Sequence, residues 1–221
     1  MTRALFERHL KALNDDVLLL GSMVEKAVVR SVDALKARDM DASRQIIKDD
    51  IKINEKRYDI EETCIHLLAT QQPMAQDLRN IIAILHIAVE LERMGDYAEG
   101  ISRLNVRIGD EPLIKPLIDI PRMVDKAVNM LRRSLDAFVR SDTDEARQVC
   151  LDDDEVDALH EQVYRELIVF MLQDPKNITQ ATYLTWISHD LERIADRSTN
   201  ICERVIFSVT GKMEEIGVSK Y

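Results

Sequence analysis

The sequence predicts an all-α protein: two tandem three-helix bundles, six long helices in total, related by a pseudo-twofold internal duplication. Composition is the first reason, because 6 Gly and 5 Pro in 221 residues leave little room for the turns of a β protein. A repeat is the second, since ELERMGD at 90–96 and DLERIAD at 190–196 are near copies. The third is apolar spacing in steps of three and four, which is typical of long helices.

Proline positions divide the chain, because proline interrupts helices. The segment GDEPLIKPLIDIP at 109–121 holds three of the five prolines and predicts a linker between two domains, 1–110 and 111–221. Pro73 and Pro175 predict one sharp turn within each half. The predicted helices span about 4–37, 41–70 and 75–107 in the first half, and about 118–140, 143–173 and 178–209 in the second.

The two halves correspond in register. SVDAL at 31–35 matches SLDAF at 134–138, an offset of 103 residues, whereas the acidic heptapeptides match at an offset of 100. KARDMDASRQ and VRSDTDEARQ each predict a short turn followed by an N-capped helix, with Asp41 or Asp144 near the cap. We therefore expect the same three-helix unit twice.

Charge and targeting signals exclude several functions. The formal net charge of −10 argues against a nucleic-acid partner and against adsorption to anionic lipid. No apolar run is long enough to insert into a membrane, and MTRALFERHL is too charged for a signal peptide. Cys64, Cys150 and Cys202 form no CxxC motif and predict buried free thiols. We expect a soluble cytoplasmic protein.

Acidic side chains interrupt two predicted helix stripes. Asp50 lies between Ile46 and Ile53 on one stripe, and Asp153 takes the same place in the second half. Another stripe runs through Leu78, Ile82, Leu85 and Val89 and continues into Glu92 and Asp96. A carboxylate on a helix-packing seam is costly unless it is paired or binds a cation.

The same acids are predicted to lie level with one another. Helices joined by a tight turn pack antiparallel, so residues equally far from the turn meet. About Pro73 this pairs Asp50 with Asp96 and Asn54 with Glu92. About the turn beside Pro175 it pairs Asp153 with Asp196 and Asp157 with Glu192. Gly95 and Ala195 are small enough for the neighbouring helix to approach.

Two interpretations of these clusters remain open. Crowded carboxylates resist ionisation unless a cation compensates them, and oxygen ligands suit Mg²⁺, Mn²⁺ and iron. Arg93 and Arg193 would instead support a structural salt-bridge network. His160 and His189 are also level, one turn from Asp157 and Glu192, and could complete a site that admits zinc or iron. The other interpretation is a pair of packed imidazoles.

Catalytic motifs are missing from the sequence, which has no P-loop, GxGxxG or GxSxG element. The main hypothesis is a regulatory adaptor without enzyme activity. The alternative is a carboxylate-bridged, di-iron-like enzyme, but such sites expect Glu-x-x-His on two helices. This chain offers only Asp157-x-x-His160 and His189-x-x-Glu192, both in one half. A third hypothesis is a metal-free scaffold.

Three segments carry a family resemblance: QQPMAQDLRNI at 71–81, ELERMGDYAEGI at 90–101 and DLERIADRSTNICE at 190–203. Together they resemble the PhoU family, the phosphate-uptake regulators of bacteria and archaea. The resemblance implies paired three-helix bundles and surface clusters of iron or zinc held by E(D)xxxD motifs. It places these motifs on Asp50 with Asn54, Glu92 with Asp96, Asp153 with Asp157, and Glu192 with Asp196; Asn200 matches an asparagine one turn further on.

Two departures from the family pattern fall in the first half. Asn54 replaces an acid, and Gly100 stands where Asn200 stands in the second half, so we expect the second site to be the stronger. The resemblance further implies a negative regulator of phosphate uptake and of the phosphate-starvation response. Its implied partners are the ATPase subunit of the phosphate-specific ABC transporter and a membrane sensor histidine kinase. It also implies a homodimer, held at the inner face of the membrane only through those partners.

Overall fold

Six long α-helices make up most of the computed structural model, which describes residues 3–214 and 216. Each predicted helix is present with bounds within one residue of those expected, and the described residues contain no strand. None of the described helices has the length and apolar character needed to cross a membrane. The helices are α1 (Arg3–Ala37), α2 (Met40–Gln71), α3 (Gln76–Ile108), α4 (Asp119–Arg140), α5 (Thr143–Gln173) and α6 (Ile178–Thr210), with a 3-10 turn at Pro175–Asn177.

Equivalent aspartates cap the second helix of each half. The Asp39 side chain accepts a hydrogen bond from the Ala42 backbone N–H at 2.8 Å, and Asp142 accepts one from the Glu145 N–H at 3.0 Å. The predicted neighbours of the cap, Asp41 and Asp144, lie two residues later, in the first turn. There they favour the helix through its dipole.

The linker is shorter than the sequence predicted. Residues 109–118 connect α3 to α4, whereas Pro121 lies inside the first turn of α4. Proline is tolerated there because the first N–H groups of a helix have no intrahelical partner. The proline that seemed to extend the linker therefore belongs to the start of a helix.

The central pair of helices, α3 and α6, packs antiparallel across the two halves. Gln76 at the start of α3 donates to the backbone carbonyl of Ser208 near the end of α6, at 2.6 Å. α1 and α2 flank α3, α4 and α5 flank α6, and α1 also packs on α4. Buried apolar residues from all six helices form one core cluster. The division at 110/111 stays a prediction, and residues 1, 2, 215 and 217–221 of the two predicted domains lie outside the described residues.

The predicted stripe on α3 is not its buried face. Leu78 is 40% exposed, and Ile82, Leu85 and Val89 are only half-buried. The buried face is centred one residue away and includes Ile81, Ile84, Ala88, Leu91, Gly95 and Ala98. α3 contacts α1, α2 and α6 together, so its apolar surface is wide, and Glu92 and Asp96 lie at the edge where water remains in reach. The α2 stripe was predicted correctly, with Ile46, Ile53 and Ile60 buried.

The three cysteines are free and buried, as predicted. Burial raises the pKa of the Cys64 thiol to about 12. A thiol that stays protonated at neutral pH is a poor nucleophile, so Cys64 acts as a small apolar core residue.

Candidate metal centres

The first acidic cluster lies between α2 and α3. Burial, together with the negative charges of Asp96, Glu99 and Glu92, raises the pKa of Asp50 to about 6. Asn54 Nδ2 donates a hydrogen bond to Asp50 Oδ2 at 2.9 Å. The structure therefore brings together the four side chains that equal distance from Pro73 places at one level.

A close approach of the two helices makes this cluster possible. A Cβ at Gly95 would lie 3.0 Å from Ile53 Cγ2 and 3.5 Å from Asp50 Oδ1. Since ordinary carbon contacts are about 3.5–4.0 Å, a larger residue would push α2 away from α3. In the second half the equivalent residue, Ala195, is fully buried.

An arginine on α2 compensates the first cluster. Arg57 Nη1 lies 2.7 Å from Glu61 Oε2, and Arg57 Nη2 lies 3.5 Å from Glu92 Oε1. Arg93, the cation named from the sequence, instead lies 3.6 Å from Glu90. Asp96 remains exposed to water. The cluster is therefore partly neutralised by a permanent charge from the opposite helix.

The second acidic cluster lies between α5 and α6 and is more deeply buried. Asp153 is only 8% exposed, and burial raises its pKa to about 7, with the charges of Asp157, Glu192 and Asp154 adding to the effect. Burial likewise raises the pKa values of Glu192 and Asp157. These acids would ionise more readily beside a cation.

Arg193 supplies a cation from within α6. Its Nη2 contacts Asp196 Oδ2, and its Nε lies 3.5 Å from Glu192 Oε2. The second cluster thus contains part of the salt-bridge network that the sequence allowed as an alternative. Asp196 is engaged by this arginine and is the least available of the four acids.

Two histidines extend the second cluster. The rings of His160 and His189 are 5.9 Å apart between centroids, and His189 Nδ1 lies 3.3 Å from Glu192 Oε2. His160 Nδ1 lies 3.0 Å from Ser188 Oγ. Burial lowers the pKa of both imidazoles. The neutral form that this favours at pH 7 is the form that binds metals.

Asn200 is engaged elsewhere. Its Nδ2 donates to Glu90 Oε2 at 3.2 Å, and Arg197 Nη1 lies 3.2 Å from the same oxygen. This amide nitrogen therefore joins α6 to α3 at the centre of the molecule. The role of Asn200 as a metal ligand stays a prediction.

The chemistry of both clusters fits a cation. Four oxygens of the predicted ligands are buried without a hydrogen bond: Asp50 Oδ1, Asp153 Oδ1, Asp157 Oδ1 and Glu192 Oε2. Such atoms are costly unless a proton or a cation satisfies them. Across residues 3–214 and 216, however, no three His, Cys, Asp or Glu side chains converge closely enough to hold a metal ion. The oxygen atoms of these acids therefore suit a cation, whereas their positions in the structure are those of salt bridges with Arg57 and Arg193.

Sequence reasoning overlooked several members of these clusters. Glu99 raises the pKa of Asp50, and Asp154 raises that of Asp153. Glu99 is detectable in principle, since it follows Asp96 by three residues and so shares its helix face. Arg57 was not predicted as a member of either cluster. Its pairing with Glu92 depends on a contact between helices.

Both halves of the chain match the family model of the PhoU domain, at residues 17–104 and 120–205. The chain belongs to the PhoU family. The phosphate-specific transport system accessory protein PhoU homolog of Clostridium acetobutylicum is 38% identical over 217 residues, which is 98% of this chain and 99% of that protein. The phosphate-specific transport system accessory protein PhoU of Escherichia coli is 31% identical over 207 residues, covering 94% of this chain and 86% of that protein.

Solved PhoU structures share the fold. PhoU from Pseudomonas aeruginosa superposes with a TM-score of 0.89 at 34% identity, over 94% of this chain and all of that one. The phosphate transport system regulatory protein PhoU from Streptococcus pneumoniae gives 0.89 at 30% identity, over 96% of this chain and all of that one. The predicted PhoU fold with its internal repeat is confirmed. PhoU proteins are accessory regulators and not enzymes, so the predicted lack of catalysis is confirmed and the di-iron-like enzyme is excluded.

Proposed function

We propose that this PhoU-family protein is a negative regulator of phosphate uptake and of the phosphate-starvation response. The observation that carries the proposal is the match of both halves to the PhoU domain, together with relatives described as accessory proteins of a phosphate-specific transport system. Those relatives align over nearly their whole length. Regulation of phosphate transport is the activity that such a likeness supports.

The protein acts as an adaptor in this proposal. Its partners are the ATPase subunit of the phosphate ABC transporter and a phosphate-sensing histidine kinase, and it works in the cytoplasm at the membrane face as a homodimer. The net charge of −10 suits docking onto basic surfaces of partners, because complementary charge speeds encounter. Light scattering should then give twice the chain mass of 25.4 kDa.

The two acidic clusters bind a metal cation in the same proposal, with iron or zinc first and manganese or magnesium chemically admissible. Asp50, Asn54, Glu92 and Asp96 would hold it in the first half. Asp153, Asp157, Glu192, Asp196 and Asn200 would hold it in the second, with His160 and His189 as accessory ligands. A bound cation would compensate acids that now repel one another and would tie the two helices of a hairpin together.

The Arg193 guanidinium competes with a metal cation for the acids of the second cluster. This guanidinium now contacts Asp196, so Asp196 becomes free to bind only when Arg193 turns away. Arg57 has the same relation to Glu92 in the first half, at the longer distance of 3.5 Å. Arg57 thus joins α2 to α3 through charge when the acids have no other partner, whereas Arg193 pairs with acids of its own helix.

Elemental analysis tests the metal proposal directly. The protein is purified without an affinity tag or chelator, alongside Asp96→Ala and Asp196→Ala. Iron, zinc or manganese should co-purify with the wild type and fall in each variant. A metal-free wild type with folded variants would show instead that the acids form a charged docking face.

Deleting the gene tests the regulatory proposal. The deletion should raise phosphate uptake and switch on phosphate-starvation genes in phosphate-rich medium, and the wild-type gene should restore repression. Co-purification should recover the transporter ATPase subunit and the kinase. A deletion strain with unchanged uptake and unchanged starvation-gene expression would contradict the proposal.

A further inference from the structure

A cationic hollow lies outside the two acidic clusters, none of whose residues line it. It has a volume of about 500 Å³ and forms where the turn after α1 meets the linker between the halves. Lys36, Arg38 and the linker segment 112–117, which includes Lys115, line it. Three cations and no acid line this hollow, although the chain as a whole carries a net charge of −10.

Arg38 stands out among the arginines of the protein. Four arginines have a buried Nε without a hydrogen-bond partner. In three of them, Arg57, Arg193 and Arg197, the terminal nitrogens pair with carboxylates. The Arg38 side chain makes neither a hydrogen bond nor an ion pair with any residue in 3–214 or with 216. A buried Nε without a partner is costly, and an anion bound by the guanidinium would offset that cost.

The backbone gives no reason for an arginine at this position. Arg38 has φ +57°, in the left-handed region, where α1 ends. That conformation favours glycine, since a Cβ is strained there. The equivalent residue in the second half, Ser141, has φ +53° with a small side chain. Neither conformation nor a protein partner therefore accounts for the Arg38 guanidinium.

The other lining residues suit an anion with more than one charge. Lys36 Nζ lies 3.8 Å from Asp33, a loose contact, and its side chain is half exposed. Lys115 is buried and contacts Glu166. Leu113, Ile114 and Leu117 are partly buried against the core and form an apolar floor. The hollow thus offers one unpaired cation, one loosely paired cation and a surface that repels water.

We propose that this hollow binds a small phosphoryl anion with at least two negative charges, held by the Arg38 guanidinium with Lys36 as the second cation. The planar guanidinium fork matches two oxygens of one phosphoryl group. Two cations on the same side of the hollow suit an anion with more than one charged group, such as a diphosphate or a phosphorylated small molecule. This site goes beyond the proposed function and uses none of the acidic clusters.

Calorimetric titration of the full-length protein with inorganic pyrophosphate tests the site. Arg38→Gly removes the guanidinium and places glycine where the backbone favours it, so the variant should fold at least as well as the wild type. We expect it to bind about tenfold more weakly or worse, the usual loss for a charge-assisted contact. Lys36→Ala should weaken binding a few-fold. Lower affinity at higher salt should accompany both results.

Matched controls come from the equivalent turn of the second half. Ser141→Gly makes the same backbone change, and Arg140→Ala removes the same charge from an exposed side chain. Both should bind pyrophosphate like the wild type. Citrate, an anion of similar charge without a phosphoryl group, should bind clearly more weakly.

Several outcomes would overturn the site. They are no binding of millimolar pyrophosphate, equal binding by Arg38→Gly, or equal binding of citrate. Binding that survives Arg38→Gly but disappears in Asp196→Asn would place the anion at a metal in the acidic cluster. Arg38-dependent binding to phosphatidylglycerol vesicles, without pyrophosphate binding, would move the phosphoryl group onto a lipid and overturn the assignment to a soluble anion.

Discussion

The two acidic clusters occupy equivalent places in the two halves, but their negative charge is compensated differently. In the first half Asn54 donates to Asp50, and Arg57 lies beside Glu92. In the second half the residues 103 positions later are Asp157 and His160, an acid and an imidazole. One carboxylate oxygen is left buried and unbonded in the first cluster, and three are left in the second.

This difference shows how a duplicated unit can diverge without a change of fold. Exchanging an amide for an acid and an arginine for a histidine leaves the helices in place. It nevertheless replaces a cluster whose acids are engaged by an amide and by an arginine of the opposite helix. In the second cluster Arg193 pairs within α6, and three buried carboxylate oxygens lack a hydrogen bond unless a proton or a bound cation supplies a partner. We therefore expect the second half to be the stronger metal site, in line with the sequence expectation.

Replacing Asp157 by an amide and Asn54 by an acid should lower metal affinity in the second half and raise it in the first. Asp157→Asn should weaken metal binding at the second cluster by at least about tenfold, the size that even residues around the ligands produce. Asn54→Asp should strengthen the first cluster, because it adds a charged ligand in place of a donor that now caps Asp50. Competition with a chelating dye measures both affinities.

An exposed acid on the same helix provides the control for this exchange. Glu155 pairs with Lys126 outside the cluster, and Glu155→Gln makes the same change in charge as Asp157→Asn. It should leave metal affinity within about twofold, because exposed charges are well screened. Equal losses in the two variants would mean that net charge, rather than the cluster, attracts the metal.

The metal-free protein should lose stability as the pH rises, and the second cluster should contribute more. Asp153 has a pKa raised to about 7 and Asp50 one raised to about 6. An unfolded chain releases these protons near pH 3.9. The folded protein therefore holds more protons between about pH 4 and 7, so the free energy of unfolding falls as the pH rises through this range.

Asp153→Asn should remove most of this pH dependence. We expect this substitution to stabilise the metal-free protein by about 1–2 kcal/mol at pH 8 and to leave its stability almost unchanged at pH 4. The gain at pH 8 is smaller than the full pKa shift would give, because water screens part of the charge. Asp50→Asn should also stabilise the metal-free protein, but by a smaller amount, and most of this gain should be present by about pH 6. Urea unfolding with a chelator at pH 4, 6 and 8 measures the differences. Destabilisation by Asp153→Asn at pH 8 would contradict the burial argument.

The sequence predicted those features that depend on one helix or one hairpin. Prolines and the repeat located the helix ends, and equal distance from Pro73 placed Asp50 beside Asp96. Features that depend on three helices were not predictable in this way. The spacing on α3 did not reveal which stripe is buried, because α1, α2 and α6 all pack on that helix. The contact of Asn200 with Glu90 likewise requires knowing that α3 and α6 meet across the halves.

The contact between α3 and α6 contains a second pair of equivalent acids, Glu90 and Asp190, with different surroundings. Glu90 Oε2 accepts from Arg197 and Asn200, each at 3.2 Å. The equivalent acid, Asp190, faces Gly100 instead, where a Cβ would lie 3.2 Å from Asp190 Oδ2. Burial alone raises the pKa of Asp190 to about 7. One acid is therefore satisfied across the interface, and its counterpart is half-buried with little compensation.

Neutralising these two acids should change stability in opposite directions. Glu90→Gln should destabilise the protein by about 1 kcal/mol, because it leaves Arg197 partly buried without a carboxylate. Asp190→Asn should stabilise it by up to about 1 kcal/mol at pH 8, where the wild-type carboxylate must ionise inside the interface. Thermal or urea unfolding of both variants in the presence of a chelator shows whether each substitution raises or lowers stability. Effects of the same sign would contradict the inferred difference in compensation between Glu90 and Asp190.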